Sequence, residues 1–323
     1  MKQMSLLAPS PMGVGQRTYE LPILTKCMVS DHQFGISMNG KHIAVRRWIP
    51  TYPQKGLVDV SDYVGDEVIL SHVSISDDGR TLLLASSTLP VMIIRDGAKT
   101  FIHIKTRHKA ALTPNGQHAL IIGNDNVLHI FDVDNPGKHE WYISNVQDFV
   151  LSPNSRRILV NTTNEGPVLW NFTLRYKILT LTTVPFAEFF CVTPNSKFFV
   201  VANKRLIYLH DAETGIRTSN YPMRRPMVSL AAGNDFFVVG QYHGGVRVLD
   251  MITLLPNHVE LDNATFVAVA DEKIVTCSRG GCLIVWRTWT YQTSLYAFMY
   301  ASKFFRVDGD RAIATPLGKL VTR

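Results

Sequence analysis

Several groups of residues have types and spacings that could do chemistry. His103, His108 and His118 lie near one another in the chain, and imidazoles at close range ligate transition metals. Cys277 and Cys282 flank a short turn containing Arg279-Gly280-Gly281, where facing thiols could hold a metal or oxidise. Phe131, Trp170 and Trp286 could wall an aromatic cage for a cation. Each has a plainer reading that fits better. The histidines spread over strand and loop positions with unrelated directions. The cysteines read as small buried apolar residues, and the aromatics sit at strand ends, where they pack. Asp and Glu are scattered with no pair that can be placed in one pocket. The chain has no phosphate-binding Gly-Lys loop, GxGxxG, GxSxG or HExxH. No catalytic residue, metal site or cofactor is therefore assigned.

The elements that would position any site are legible from composition and pattern. The 323 residues are 46% apolar and 18% charged, which excludes a disordered chain. With 21 Gly and 16 Pro, collagen-like and low-complexity classes fail as well. Four cysteines are too few for a disulfide scaffold and point to a reducing compartment. The net charge of +7 makes an anionic partner plausible without demanding one. The longest uncharged runs, Thr81–Ile94 and Thr288–Ser302, are too short to span a membrane. Met1–Gln16 is broken by Pro9 and Pro11, which suits no signal-peptide core. The expectation is a soluble intracellular protein, cytoplasmic or nuclear; a mitochondrial destination stays open because no acid precedes Glu20.

A repeat organises the chain. Strongly apolar runs alternate with turns such as Ser76-Asp77-Asp78-Gly79, Thr113-Pro114-Asn115-Gly116, Ser152-Pro153-Asn154-Ser155 and Thr193-Pro194-Asn195-Ser196. Proline presets φ, Asn and Asp bond the neighbouring backbone, and Gly accepts positive φ. Taking one residue of each turn as a marker, the positions are 40, 79, 116, 155, 196, 235, 272 and 310, a period of about 39. A third strand follows most turns: Leu128–Asp132, Val168–Asn171, Ile207–Asp211, Val246–Asp250 and Leu283–Arg287. Runs that are apolar at nearly every position predict strands covered on both faces. Four short strands per repeat predict an all-β fold, a single β-propeller of four-stranded blades.

On these turns and on the strand endings Phe131-Asp132, Trp170-Asn171 and Trp286-Arg287, the chain resembles the WD40 family of propellers, roughly from Gln33 to Lys319. The Trp-Asp pair itself does not occur. Of the acids that family often carries six residues before that Trp, only Asp125 is present. The expected organisation is a flexible segment over 1–16 and a propeller over 17–323, with Arg17–Leu24 closing the last blade. Eight hairpin signals, the last at Phe304–Thr315, favour eight blades. Seven is the alternative if the weak first copy is a cap.

The resemblance implies that loops joining second to third strands share a face with those joining one blade to the next. That face would carry Arg46, Arg47, Lys105, Arg107, Lys109, Lys204, Arg205, Arg224, Arg225 and Arg279. The opposite face would carry Arg156, Arg157 and Lys197. Turns are normally polar, so a merely solvated rim is one reading of these cations. The expected function is a non-catalytic protein–protein interaction scaffold, a subunit of a larger assembly with other proteins as partners. The first alternative is an RNA- or phosphate-binding module using the basic loops. The second is an enzyme with a site on the propeller axis, which predicts a polar funnel holding grouped carboxylates or histidines.

Overall fold

In five repeats the marker turn is a small hydrogen-bond circuit, which is why the same residue types recur. In Thr113–His118 the Thr113 hydroxyl donates to Asn115 Oδ1 at 2.7 Å and accepts the His118 N–H at 2.9 Å. Asn115 Oδ1 also accepts the Gln117 N–H at 3.1 Å. Gly116, at φ +67°, closes the turn by donating its N–H to the Thr113 carbonyl. The circuit repeats at Ser37–His42, Ser76–Thr81, Ser152–Arg157 and Thr193–Phe198. All five leading Ser or Thr residues are buried. A buried hydroxyl is tolerated only when bonded, and here it is bonded in every copy. In one copy the Ser76 hydroxyl bond, opposed by burial and assisted by the Arg80 N–H, holds the Asp78 carboxyl below its ordinary range.

The computed structural model describes residues 23–47 and 57–287, apart from 62, 65–67, 69, 138, 182–186, 242–243, 252–255, 262–263, 271–272 and 279–281. The expected flexible segment 1–16, the start of the expected closing strand and the Phe304–Thr315 hairpin lie outside them. The described strands form six sheets that make seven blades: five have four strands, and a sixth has six strands and serves two blades through the long strand Ile23–Ile36. Blade 1 holds residues 29–36, Ile43–Arg47 and Leu57–Asp59. Blade 2 begins at His72–Ile75 and ends at Ala98–Ile102, and blade 3 runs from Thr106–Leu112 to His139–Ile143. Blade 4 runs from Val146–Leu151 to Tyr176–Thr180, blade 5 from Phe189–Val192 to Arg217–Pro222, and blade 6 from Met227–Ala232 to Pro256–Leu261. Blade 7 holds Ala264–Ala270, Lys273–Ser278 and Cys282–Arg287, with residues 23–28 as its fourth strand. First strands of successive blades lie side by side around the axis.

Seven apolar clusters, one at each blade-to-blade junction, hold the ring together. Their composition explains the uniformly apolar strands. In His118–Gly123, Ala119 and Ile121 pack toward blade 2 while Leu120 and Ile122 pack toward blade 4. The same division splits Phe198–Asn203, with Val200 and Ala202 on one side and Phe199 and Val201 on the other. Side chains alternate across a strand, so a strand between two neighbours must be apolar at both parities. Each fully buried Leu, Ile or Val contributes about 1.5–3 kcal/mol relative to exposure.

The count of seven corrects the favoured eight. Residues 23–28 pair antiparallel with Cys282–Arg287, from Ile23 opposite Trp286 to Met28 opposite Cys282. Blade 7 then packs directly on blade 1, with Val275, Cys277, Leu283 and Val285 against Ile43 and Val45. No gap remains there for another blade. Seven is also reached differently from the expected alternative, because the weak first copy is a blade and not a cap. It is irregular, since Leu57–Asp59 pairs in parallel with Ile43–Arg47 where other blades have an antiparallel third strand.

Two faces follow from this geometry. The turn face carries the marker turns and the third-to-fourth-strand turns. The loop face carries the second-to-third-strand turns and the blade-to-blade connections. Marker turns of adjacent blades also join. Asn39 N–H donates to Asp77 Oδ1 at 2.9 Å, Asp77 N–H to the Pro114 carbonyl at 2.7 Å, and Asn195 N–H to Asn234 Oδ1 at 2.8 Å.

Candidate interaction face

His72, Lys109 and Asp148 each stand seven residues before a turn marker, at 79, 116 and 155. Equal spacing gives them equal height on adjacent first strands, and they line one cavity of about 710 Å³ at the loop-face mouth of the axis. Asn126, Gln147, Asn161, Thr163, Ala187, Glu188 and Phe190 complete the lining. Lys109 Nζ donates to Asp148 Oδ1 at 2.9 Å and lies 5.4 Å from the Phe149 ring centre. Asn161 Nδ2 donates to Gln147 Oε1 at 3.2 Å. Glu188 Oε2 lies 3.6 Å from Lys204 Nζ. The funnel is polar and carries both charge signs largely paired, with amides and one aromatic beside them. Such a lining suits hydrogen bonds to polar side chains of an inserted segment.

Among the described residues, no three His, Cys, Asp or Glu side chains converge as metal ligands. Cys191 stands on a first strand close to the funnel. Enclosure of its thiol, against the weaker pull of Lys109, pushes it up to about 12, so it is no thiolate nucleophile at neutral pH. The axial reading called for a polar funnel with grouped carboxylates or histidines, and His72, Asp148 and Glu188 do line this one.

The ten basic residues divide sharply. Lys204 and Arg205 occupy the second-to-third-strand turn of blade 5, and Arg224 and Arg225 the connection from blade 5 to blade 6. These two loops are bonded together: Met223 N–H donates to the Arg205 carbonyl at 2.7 Å and Met227 N–H to the Lys204 carbonyl at 2.8 Å. Below them, Leu206 pairs with Pro222 as the last rung of the blade. Asn203 Oδ1 accepts the Arg205 N–H at 2.9 Å and shapes the turn. All four cations are exposed. Lys204 reaches Glu188, whereas Arg205, Arg224 and Arg225 make no ion pair among the described residues. Lys109 is turned into the funnel and paired. Lys105 is exposed in a separate connection, between blades 2 and 3. Arg46, Arg47 and Arg107 are placed by backbone alone, and Arg279 lies outside the described residues.

The described side chains of the other candidate groupings do not come together; those of His108, Cys282 and Trp286 lie outside the description. His103 follows the last strand of blade 2 on the loop face, while His118 sits on the turn face, 3.6 Å from Glu140 and edge-on to Phe172. Cys277 is buried opposite Leu283, not Cys282. Phe131 is buried in the blade 2–3 junction, and Trp170 packs on the blade 3–4 junction near Trp141, so neither lines a cage. Asp125 does order its turn, accepting the Val127 N–H and holding His129 Nε2 at 3.1 Å. Gly123 beside it leaves room that a Cβ would close, at 2.5 Å from Asp125 Oδ1. Of the funnel residues, sequence reasoning named only Lys109, as a loop-face cation; the seven-residue offset from the marker was there to find His72 and Asp148.

No protein-family description matches the chain, and no curated protein matches it. Among solved structures, the chain is similar to one in a crystal structure of the mitotic checkpoint complex. The identity is 11%, the TM-score 0.64, and the match covers 90% of this chain and 98% of that one. At that identity the likeness shows the propeller fold alone. Since 1569 solved chains match, the fold by itself selects no activity. Among the described residues no helix is long and apolar enough to cross a membrane.

Proposed function

We propose that this propeller is a non-catalytic docking scaffold that receives a segment of a partner protein on its loop face. The observation that carries the reading is the juxtaposition of four exposed cations, on two loops bonded to each other, with the mouth of a polar funnel. A rigid ring holding loops in fixed relation is suited to binding. Like charges in contact with water are strongly screened and repel weakly. The blade therefore tolerates the cluster, and a negative partner gains from it. The structural neighbour sits within a protein complex, which agrees with a subunit role.

The test is quantitative affinity capture from the native source at two salt concentrations, with nuclease present. Three proteins are compared: the full chain, its Lys204→Glu/Arg225→Glu variant and its Arg156→Glu/Lys197→Glu variant. A defined protein set should drop at least tenfold with the loop-face reversal and be unaffected by the turn-face reversal. Equal recovery on all three proteins would sink the docking face.

A further inference from the structure

The cluster on blade 5 differs from every other group of cations described. Arg205 and Arg224 flank the Leu206–Pro222 rung, so antiparallel pairing brings their backbones close. The two inter-loop hydrogen bonds hold that arrangement before any ligand arrives. None of the three guanidinium groups has a carboxylate partner among the described residues. Three arginines elsewhere are neutralised by a neighbouring blade: Arg95 bonds Asp134, Arg157 bonds Glu213 and Arg175 bonds Glu140.

Resting on the docking reading above, we propose that Lys204, Arg205, Arg224 and Arg225 form a binding site for a phosphate monoester on an extended segment of the partner protein. Guanidinium groups bind phosphate through paired N–H donors, and several converging on one spot favour a dianion over a single carboxylate. The funnel beside the site would take the residues next to the phosphorylated one. Lys204 marks the boundary, because its ammonium faces Glu188 on the funnel wall. A nucleic-acid strand fits less well. It presents singly charged phosphates in a row and calls for a basic track with stacking aromatics. Among the described residues these two loops carry no aromatic side chain, and the cations are gathered on one blade.

The test uses the full chain and a peptide library with one fixed phosphoserine, the same library with serine, and a ten-residue oligouridylate. Retention of the phosphoserine library should exceed that of the serine library at least tenfold. The preference should vanish in Arg224→Glu/Arg225→Glu and persist in Arg156→Glu/Lys197→Glu. Equal retention of the two libraries, tighter binding of the oligonucleotide, or a preference surviving the loop-face reversal would each overturn the proposal. Phosphatase treatment of the native extract separates the two claims. If capture still depends on the loop face after dephosphorylation, docking stands and the phosphate site falls. If the phosphoserine preference holds while capture ignores the reversal, the phosphate site stands and the docking reading falls.

Discussion

On the turn face Arg95, Arg157 and Arg175 each reach a carboxylate of a neighbouring blade; on the loop face Arg205, Arg224 and Arg225 reach none among the described residues. Arg95 shows what commitment means. It bonds Asp134, and it also donates to Thr81 Oγ1 at 3.2 Å and to the Gly116 carbonyl at 3.1 Å. One guanidinium thus ties a strand end of blade 2 to the marker turn of blade 3. Arg156 and Lys197 are exposed on the turn face without ion-pair partners among the described residues, but they stand singly, one per blade. The difference teaches that charge count is a poor guide to a binding face. Cations that join blades are part of the ring, whereas cations gathered without counter-charge hold no blade to another among the described residues.

The comparison breaks most severely where turns of adjacent blades touch. A Cβ on Gly116 would lie 2.9 Å from Thr81 Oγ1 and 3.1 Å from Ser76 Cβ, at a backbone φ of +67°. Gly116→Ala is expected to cost about 2–4 kcal/mol, combining left-handed strain with the forced shift of blade 2. Ser155 holds the equivalent place at φ +54° and already carries a Cβ. Ser155→Ala should therefore cost no more than about 0.5 kcal/mol. Urea denaturation of both variants checks the pair; equal losses would mean that turn-to-turn contact does not couple the blades.

Acid probes the same face through His210, which is fully buried near the turn-face end of blade 5. Burial, opposed by the hydrogen bond between Nδ1 and the Gly215 carbonyl and assisted by nearby Arg217, lowers its pKa below the ordinary histidine value. The folded chain then binds fewer protons at this site than the unfolded chain as pH falls through about 6.5. Stability from a neutral His210 is present above that pH and is lost below it, by at most ~1.4 kcal/mol per pH unit, until the folded site also protonates. Urea midpoints from pH 7.5 to 5.5 should fall, and should fall less in His210→Gln. Parallel pH profiles for the two proteins would remove His210 as the cause.

The ring was largely legible in the sequence, because a propeller's physics is local and repeated. Thr113 and Asn115 build their turn with residues two to five positions away, so the signal survives in one sequence. Blade number was not legible. It depends on residues 23–28 finding Cys282–Arg287 across the length of the chain, and no local pattern encodes that pairing. The loop-face cluster was half legible. Register placed Lys204, Arg205, Arg224 and Arg225 on one side, but only three-dimensional contact separates them from Lys109, which Asp148 neutralises from blade 4. A polar funnel was foreseen only as one alternative, and its lining beyond Lys109 was not named, because its charges are single residues on separate strands.

The smallest expected effect sharpens the comparison furthest. Arg157 keeps only 16% of its side chain exposed while it bonds Glu213 of blade 5. Arg157→Ala should therefore lose about 1 kcal/mol, at the upper end for a surface ion pair because the arginine is mostly enclosed. Arg224→Glu/Arg225→Glu breaks no contact among the described residues and removes like-charge crowding beside Lys204 and Arg205. Its stability should stay within about 0.5 kcal/mol of the parent chain, or rise slightly. Thermal unfolding at low and high salt distinguishes the cases. Salt should weaken the parent's advantage over Arg157→Ala, and should reduce any gain in Arg224→Glu/Arg225→Glu. If the loop-face reversal instead destabilised the ring as much as Arg157→Ala, those arginines would be joining loops, and the contrast between the two faces would collapse.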